Sequence, residues 1–236
     1  MPDYPHLTNP PIAEAVFDIH VRELASTERL ETFVDQAKVS FPNVMPMNRK
    51  QVEISGGENL EVTGTTTAVG HILWNESQTR AVQGRLDGFT YNVVGGYEDW
   101  KSHLDDVRCM WELYSACMKP LEISRCALRY INNIEMTLGP DVATYFQGHP
   151  PLPTGLGSTM NEFFMRIAIP IADRQAIVSQ ALRREEKATF LVLDIDVFSN
   201  RHFESDEIWY EFEQLHNAKN KCFFQIMQPD ALAVYK

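Results

Sequence analysis

Two carboxylates two residues apart, Asp194-Ile-Asp196, stand in a run in which Leu191, Leu193, Ile195 and Val197 take the alternate positions. In a strand, residues at i and i+2 share a face, so the apolar row turns to a core and both aspartates turn away from it together. Such a pair can hold a divalent cation for nucleotidyl-transfer chemistry. That chemistry also needs a third oxygen ligand and a loop that cradles phosphate, and no Gly-x-x-x-x-Gly-Lys-[Ser/Thr] occurs. A solvated or ion-paired sheet face is the weightier reading, with no metal and no cofactor expected.

Three further groups invite the same question. Asp18 and His20 share the polar parity of residues 15–22, and Glu14 extends it. A histidine beside a carboxylate can act as a general base, but no nucleophile stands at a defined position near it. Arg125, Arg129 and Asn133 also share one parity, continued by Glu135. Two arginines four apart on a strand lie about 13 Å from each other at ~3.3 Å per residue. Their planar forks suit phosphates or carboxylates. Asp18, Asp194 and Asp196 are ready partners, so structural ion pairs outweigh an anion site.

The local signatures of common enzymes are missing. There is no Gly-x-Ser-x-Gly, His-Glu-x-x-His, Cys-x-x-Cys or dinucleotide fingerprint. The cysteines (Cys109, Cys117, Cys126 and Cys222) lie in apolar segments and read as buried free thiols. The chain has 236 residues, with 21 Lys plus Arg against 32 Asp plus Glu, a net charge of −11 that disfavours DNA as a partner. Its start carries no basic and apolar leader pattern, and no apolar run is long enough to span a bilayer as a helix. A cytoplasmic protein, away from membranes, is expected.

The elements that must position these groups follow from periodicity. Residues 15–22 alternate strictly and predict a half-buried strand. Ser26 is placed to cap a helix whose inward stripe is Leu30, Phe33, Val34 and Ala37, ended by Pro42. Antiparallel strands are expected over 51–94, with a turn at Gly56-Gly57 and a hairpin of 80–86 and 89–94 around a type I′ turn at Asp87-Gly88. Trp100, Leu104, Val107, Trp111, Tyr114 and Cys117 predict a helix over 97–118, closed by Pro120, before extended structure over 123–136. Residues 138–161, rich in Pro and Gly, read as a linker or covering loop with a short helix near 142–146. Strands at 163–171, 176–183 and 189–198 then lead to a helix capped by Ser205-Asp-Glu, with Ile208, Trp209, Phe212, Leu215 and Phe223 inward. The fold class is therefore α+β, with antiparallel strands in two groups and long helices packed on the sheet. The chain divides into halves at 1–137 and 162–236, within which residues 52–118 and 163–227 share an order of several antiparallel strands followed by one Trp-bearing helix. That leaves an internal duplication, or one continuous domain, open.

The segments Leu7-Thr-Asn-Pro-Pro-Ile-Ala-Glu-Ala-Val16, Tyr97-Glu-Asp-Trp100 and Arg129-Tyr-Ile-Asn132, with His216 eight residues before Phe224, follow one another in an order that resembles a known family. It is a sporadically distributed, functionally uncharacterised prokaryotic family of about 250 residues, with an Asn-x-Pro-Ile-x-Glu-Ala start and an Arg-Tyr-Ile-Asn centre. The resemblance covers nearly the whole chain and implies no known reaction or catalytic residue. Its patchy distribution, like that of defence or mobile-element genes, implies a protein that regulates or neutralises a partner. On the residues alone, Asn132 on an inner face needs hydrogen-bond partners and is placed to pin a loop.

Two functions are weighed. One is a non-enzymatic binding protein whose acidic surface or sheet edge docks a protein partner, a basic one by charge, with homo-oligomers left open. The other is a small-molecule binder or enzyme using a pocket on the polar sheet face. Glu14, Asp18, His20, Arg125, Arg129, Asn133, Asp194 and Asp196 are the candidate residues in either case, and a pocket converging on them would favour the second.

Overall fold

Strict alternation over the first apolar run does produce a strand, β1 (Ile12–Val21), with Ala15, Phe17, Ile19 and Val21 all buried. The structure, a computed structural model, describes residues 4–22, 26–55, 61–119, 122–149, 152–153, 155 and 160–236, with the backbone alone for 50–55 and 61–66. The expected turn at Gly56-Gly57, and Pro120, Pro150 and Pro151, lie outside the described residues.

After β1 come α1 (Thr27–Ala37), β2 (Asn43–Ser55), β3 (Glu61–Trp74), β4 (Arg80–Arg85), β5 (Gly88–Val94) and α2 (Trp100–Met118). The second half holds β6 (Ile123–Glu135), a 3-10 turn at Val142–Thr144, β7 (Phe164–Ile171), β8 (Arg174–Arg184), β9 (Thr189–Ser199), α3 (Glu207–Ile226) and α4 (Pro229–Ala233). The two strand groups join in one antiparallel sheet of nine strands, ordered β2-β3-β4-β5-β1-β6-β9-β8-β7. Outward from the central β1/β6 pair the order is β1, β5, β4, β3, β2 on one side and β6, β9, β8, β7 on the other. Each half thus starts at the seam, crosses to its own edge and returns as a meander before its long helix.

Helices α1, α2 and α3 cover one face. Leu30 and Phe33 of α1 press on Gly84, where an added Cβ would lie 2.5 Å from the Phe33 ring. Trp111 of α2 meets the rings of Phe89 and Tyr114, and Phe212 of α3 meets Phe17. Ser26 caps α1 as expected, its hydroxyl accepting from the Arg29 N–H, and Asp99 caps α2 by accepting from the Ser102 N–H.

Several local expectations need correction. The β4–β5 hairpin forms, but Arg85 pairs with Gly88, so the two loop residues are Leu86 and Asp87 and Gly88 belongs to the strand. Gly88 is not left-handed. It is required because an added Cβ would lie 2.5 Å from the carbonyl oxygen of Ile19 on the neighbouring strand and 2.7 Å from Arg85 Nη2. Proximity, not turn geometry, selects this glycine. Asp206, not Ser205, is the N-cap of α3, and it makes no side-chain cap bond; instead the Glu207 carboxylate accepts from the Glu204 N–H. Cys109 is exposed and Cys117 half-buried, because only Cys126 and Cys222 fall on inward positions. Within 138–161 the segment around the 3-10 turn covers the core: Val142, Tyr145 and Phe146 are buried, and Phe146 bridges to Met227 at the end of α3.

Candidate functional site

The uncovered face of the sheet carries the polar rows expected from parity. In β1 it displays Glu14, Asp18 and His20, in β6 Arg125, Arg129 and Asn133, and in β9 Asp194 and Asp196, on strands that are direct neighbours. Asp18 is the centre. One of its oxygens accepts from Arg85 Nη2 at 3.0 Å and the Thr90 hydroxyl at 2.7 Å; the other accepts from Arg125 Nη1 at 2.7 Å and His20 Nε2 at 2.9 Å. Arg85 also contacts the Thr90 hydroxyl and reaches Asp87 at 3.2 Å. Arg125 continues to Asp196 at 3.7 Å and stacks over the Phe198 ring. Arg129 makes a two-pronged pair with Asp194, Nε at 2.8 Å and Nη2 at 2.7 Å.

The charges meet across strands and alternate in sign, as cross-strand neighbours of opposite charge do. Burial alone would push the Asp18 carboxyl up. The hydrogen bond from His20 and the charge of Arg85 outweigh it and hold the group well below the usual carboxylate range. At Asp196 the balance runs the other way: burial raises its pKa against the pull of Arg125 and Arg129. Glu14 stands apart and accepts from Asn92 Nδ2 at 2.7 Å. Asn133 joins neither cluster; its side-chain oxygen is buried without a hydrogen-bond partner, and its backbone N–H donates to the Pro11 carbonyl.

Two parts of the sequence reading change here. With Glu14, Asp18, Asp87, Asp194 and Asp196 against Arg85, Arg125 and Arg129, this patch sums to 3 − 5 = −2, so the chain's −11 is carried mostly elsewhere. None of the eight candidate residues lines either of the two cavities described next. Among the described residues no group of three or more His, Cys, Asp or Glu is disposed to hold a metal ion.

On the covered side a cavity of about 260 Å³ opens between the N-terminal segment, the start of α2 and the second half of α3. A second hollow lies near Met136 and Arg184. Residues from separate elements converge on the first cavity: Leu7, Pro10 and Ile12, Tyr97 and Trp100, Asn132, and His216. Trp100 ties α2 to α3, its Nε1–H donating to Glu213 at 2.9 Å while its ring stacks on His216 with centroids 4.0 Å apart. The Tyr97 and Tyr130 hydroxyls are 2.9 Å apart. Asn132 donates to the Leu193 carbonyl at 2.9 Å, so it pins the adjacent strand β9 instead of a loop.

The sequence reading missed Lys219, which also lines this cavity. It is 7% exposed, its ammonium sits 3.9 Å above the Tyr130 ring, and it donates to Asn220 Oδ1 at 2.6 Å. No carboxylate is described as pairing with it. Burial pushes its pKa down to about 7. The signal was available: position 219 is four after Leu215 and three before Cys222, on the inward stripe of α3, where a lysine breaks the apolar pattern. Glu211, four before Leu215, breaks it too. That carboxylate is fully buried but satisfied by Arg174, at 2.6 and 2.9 Å, and by Arg201 at 3.4 Å. Lys219 has no such counterpart among the described residues.

Compared with protein-family models and with curated proteins, the chain matches none.

Proposed function

We propose that this is a non-enzymatic binding protein that docks a protein partner on the uncovered face of its sheet and thereby regulates or neutralises it. One observation carries the reading. The central strands β5, β1, β6 and β9 present an array cross-braced by ion pairs and hydrogen bonds that form within the chain itself, without a partner. Rigidity of that kind lowers the entropy cost of association. Arg129 keeps 47% of its side chain exposed beside Asp194, and Phe164 on β7, 71% exposed, adds an apolar anchor to the same face. Arginine and aromatic side chains are the residue types that dominate binding energy at interfaces. The net charge of −11 steers a basic partner by long-range attraction, while the nearly balanced face supplies the fit. The absence of enzyme signatures in the sequence, and the resemblance to a sporadically distributed prokaryotic family, point the same way.

The test is charge reversal at Arg129. In Arg129→Glu the circular dichroism spectrum should be unchanged while recovery of the partner from native lysate falls at least tenfold. Full recovery with an intact fold would remove the face from the account, and a lost fold would return Arg129 to a structural role.

A further inference from the structure

The cavity beneath the other side of the sheet is built as a ligand site independently of the docking face. We propose that it binds a small planar or aromatic monocarboxylate, with the carboxylate on Lys219 Nζ and the ring between Trp100 and the Phe223–Phe224 wall.

The polar floor is specified atom by atom. An ammonium needs an acceptor, so Asn220 turns its Oδ1 to Lys219. Its Nδ2 then faces His216 Nε2 at 3.1 Å and must donate to it. His216 therefore carries its proton on Nδ1, and that nitrogen is buried with no partner. Burial, reinforced by the neighbouring Lys219, pushes the His216 pKa down to about 3, so the ring stays a neutral donor. The site thus holds N–H groups in excess of acceptors: an ammonium with one hydrogen bond and, buried behind the lining, an imidazole N–H with none. Buried donors without acceptors are costly unless something supplies the acceptor. A carboxylate does.

Size and charge narrow the class. At ~30 Å³ per water in the liquid, 260 Å³ holds about nine waters, or a ligand on the order of a dozen non-hydrogen atoms. The walls are ring faces and edges: Trp100 stacked on His216, Tyr4 stacked on Phe224 at 5.0 Å, and Phe223 edge-on to Phe224. Such walls favour a flat apolar body. Among the described residues Lys219 is the one lysine or arginine lining the cavity, and Glu98 and Asp99 line it too, so a phosphate dianion is disfavoured more strongly than a single carboxylate held on the ammonium.

Other groups that could respond to pH around the site are identified. Tyr97 is raised to about 12 by burial, and Tyr130 is raised well above its ordinary value, so neither titrates near neutrality. His103 is lowered by burial and accepts from the Glu98 N–H. Tyr4 is raised, and His6, on the N-terminal segment, is removed in the test by His6→Gln.

The probes are 4-hydroxybenzoate and indole-3-acetate, with benzamide and inorganic phosphate as controls, titrated calorimetrically into the whole chain and into Lys219→Met. The expected result is one site for at least one carboxylate. Affinity should be about tenfold weaker at pH 8 than at pH 6, because the protonated fraction of a group held near about 7 falls by that factor. Proton uptake should approach one per ligand at pH 8, in wild type and in His6→Gln alike. Lys219→Met should keep its circular dichroism spectrum and lose at least tenfold in affinity. Binding by neither carboxylate at millimolar concentration, equal binding of benzamide or phosphate, or binding unaltered in Lys219→Met would each overturn the proposal. None of these results bears on the Arg129 test.

Discussion

Replacing Asp18 by Asn should cost far more than replacing Asp194 by Asn, although both are aspartates of the same sheet face paired to arginine. Asp18 holds Arg85 and Arg125 together, at 3.0 and 2.7 Å, and those side chains are only 13% and 24% exposed. Breaking a buried pair by removing one partner costs about 3–5 kcal/mol. Here Arg85 keeps Asp87 at 3.2 Å and Arg125 keeps Asp196 at 3.7 Å, which offsets part of the loss. The expected destabilisation is about 2–3 kcal/mol. Asp194 faces an arginine that is 47% exposed, where water and salt replace the pair, and about 0–1 kcal/mol is expected. Urea titrations at pH 7 read the two directly; the costs differ by about 1–3 kcal/mol, and at about 2–4 °C per kcal/mol for a chain of this size the melting points should differ by roughly 2–12 °C. The pH dependence has a definite sign. Because the folded Asp18 carboxyl is held below its unfolded value, its contribution is complete above the unfolded carboxylate pKa of about 3.9 and is lost as pH falls below it. The difference between wild type and Asp18→Asn should therefore shrink below about pH 4. Equal costs for the two variants, or a larger one for Asp194→Asn, would refute the claim that Asp18 is the brace of this face.

Gly88→Asn should destabilise by about 1–3 kcal/mol, as overpacking does, although asparagine suits the left-handed turn that the sequence suggests; a neutral result in a melting curve would restore the turn reading. Trp111→Ala should lose about 3–5 kcal/mol, since the ring is 3% exposed and packed on Phe89 and Tyr114; an unmoved melting temperature would mean the helix is docked otherwise. Lysine in the unfolded chain keeps its proton to about pH 10.4, whereas Lys219 loses it near 7 in the fold, so the unfolded state binds more protons between those values and stability must rise with pH. Wild type should therefore gain about 3.5 kcal/mol on Lys219→Met between pH 7 and pH 10, the slope reaching ~1.4 kcal/mol per unit only midway, and parallel stability curves would contradict the burial of that amine.

What was legible in the sequence was whatever depends on periodicity. The alternation of Ala15, Phe17, Ile19 and Val21, and of Leu191, Leu193, Ile195 and Val197, fixes which side of the sheet is buried, and so places Asp18, Arg125, Arg129, Asp194 and Asp196 together on the other. Which of them touch depends on strand order, and β1 lies beside both β5 and β6 only because the chain returns to its centre. Arg85 and Thr90 went unread for that reason: they come from a hairpin whose distance from Asp18 is not written locally. Gly88 was misread because a glycine after Asp signals a turn, while the carbonyl that excludes its Cβ belongs to a strand almost 70 residues earlier. Lys219 was hidden differently. It stands in a helix stripe that could be read, but attention to apolar positions passed over the one cation among them.

The most direct test of the docking face is a site-specific photocrosslinker placed at Phe164, on the uncovered side of β7, and in parallel at Tyr210, on the outer surface of α3 and 67% exposed. Irradiation in native cells should yield one discrete adduct to a partner protein from position 164 and none from position 210. An adduct from 210 alone, or indistinguishable adducts from both, would contradict the assignment of the sheet face as the binding surface.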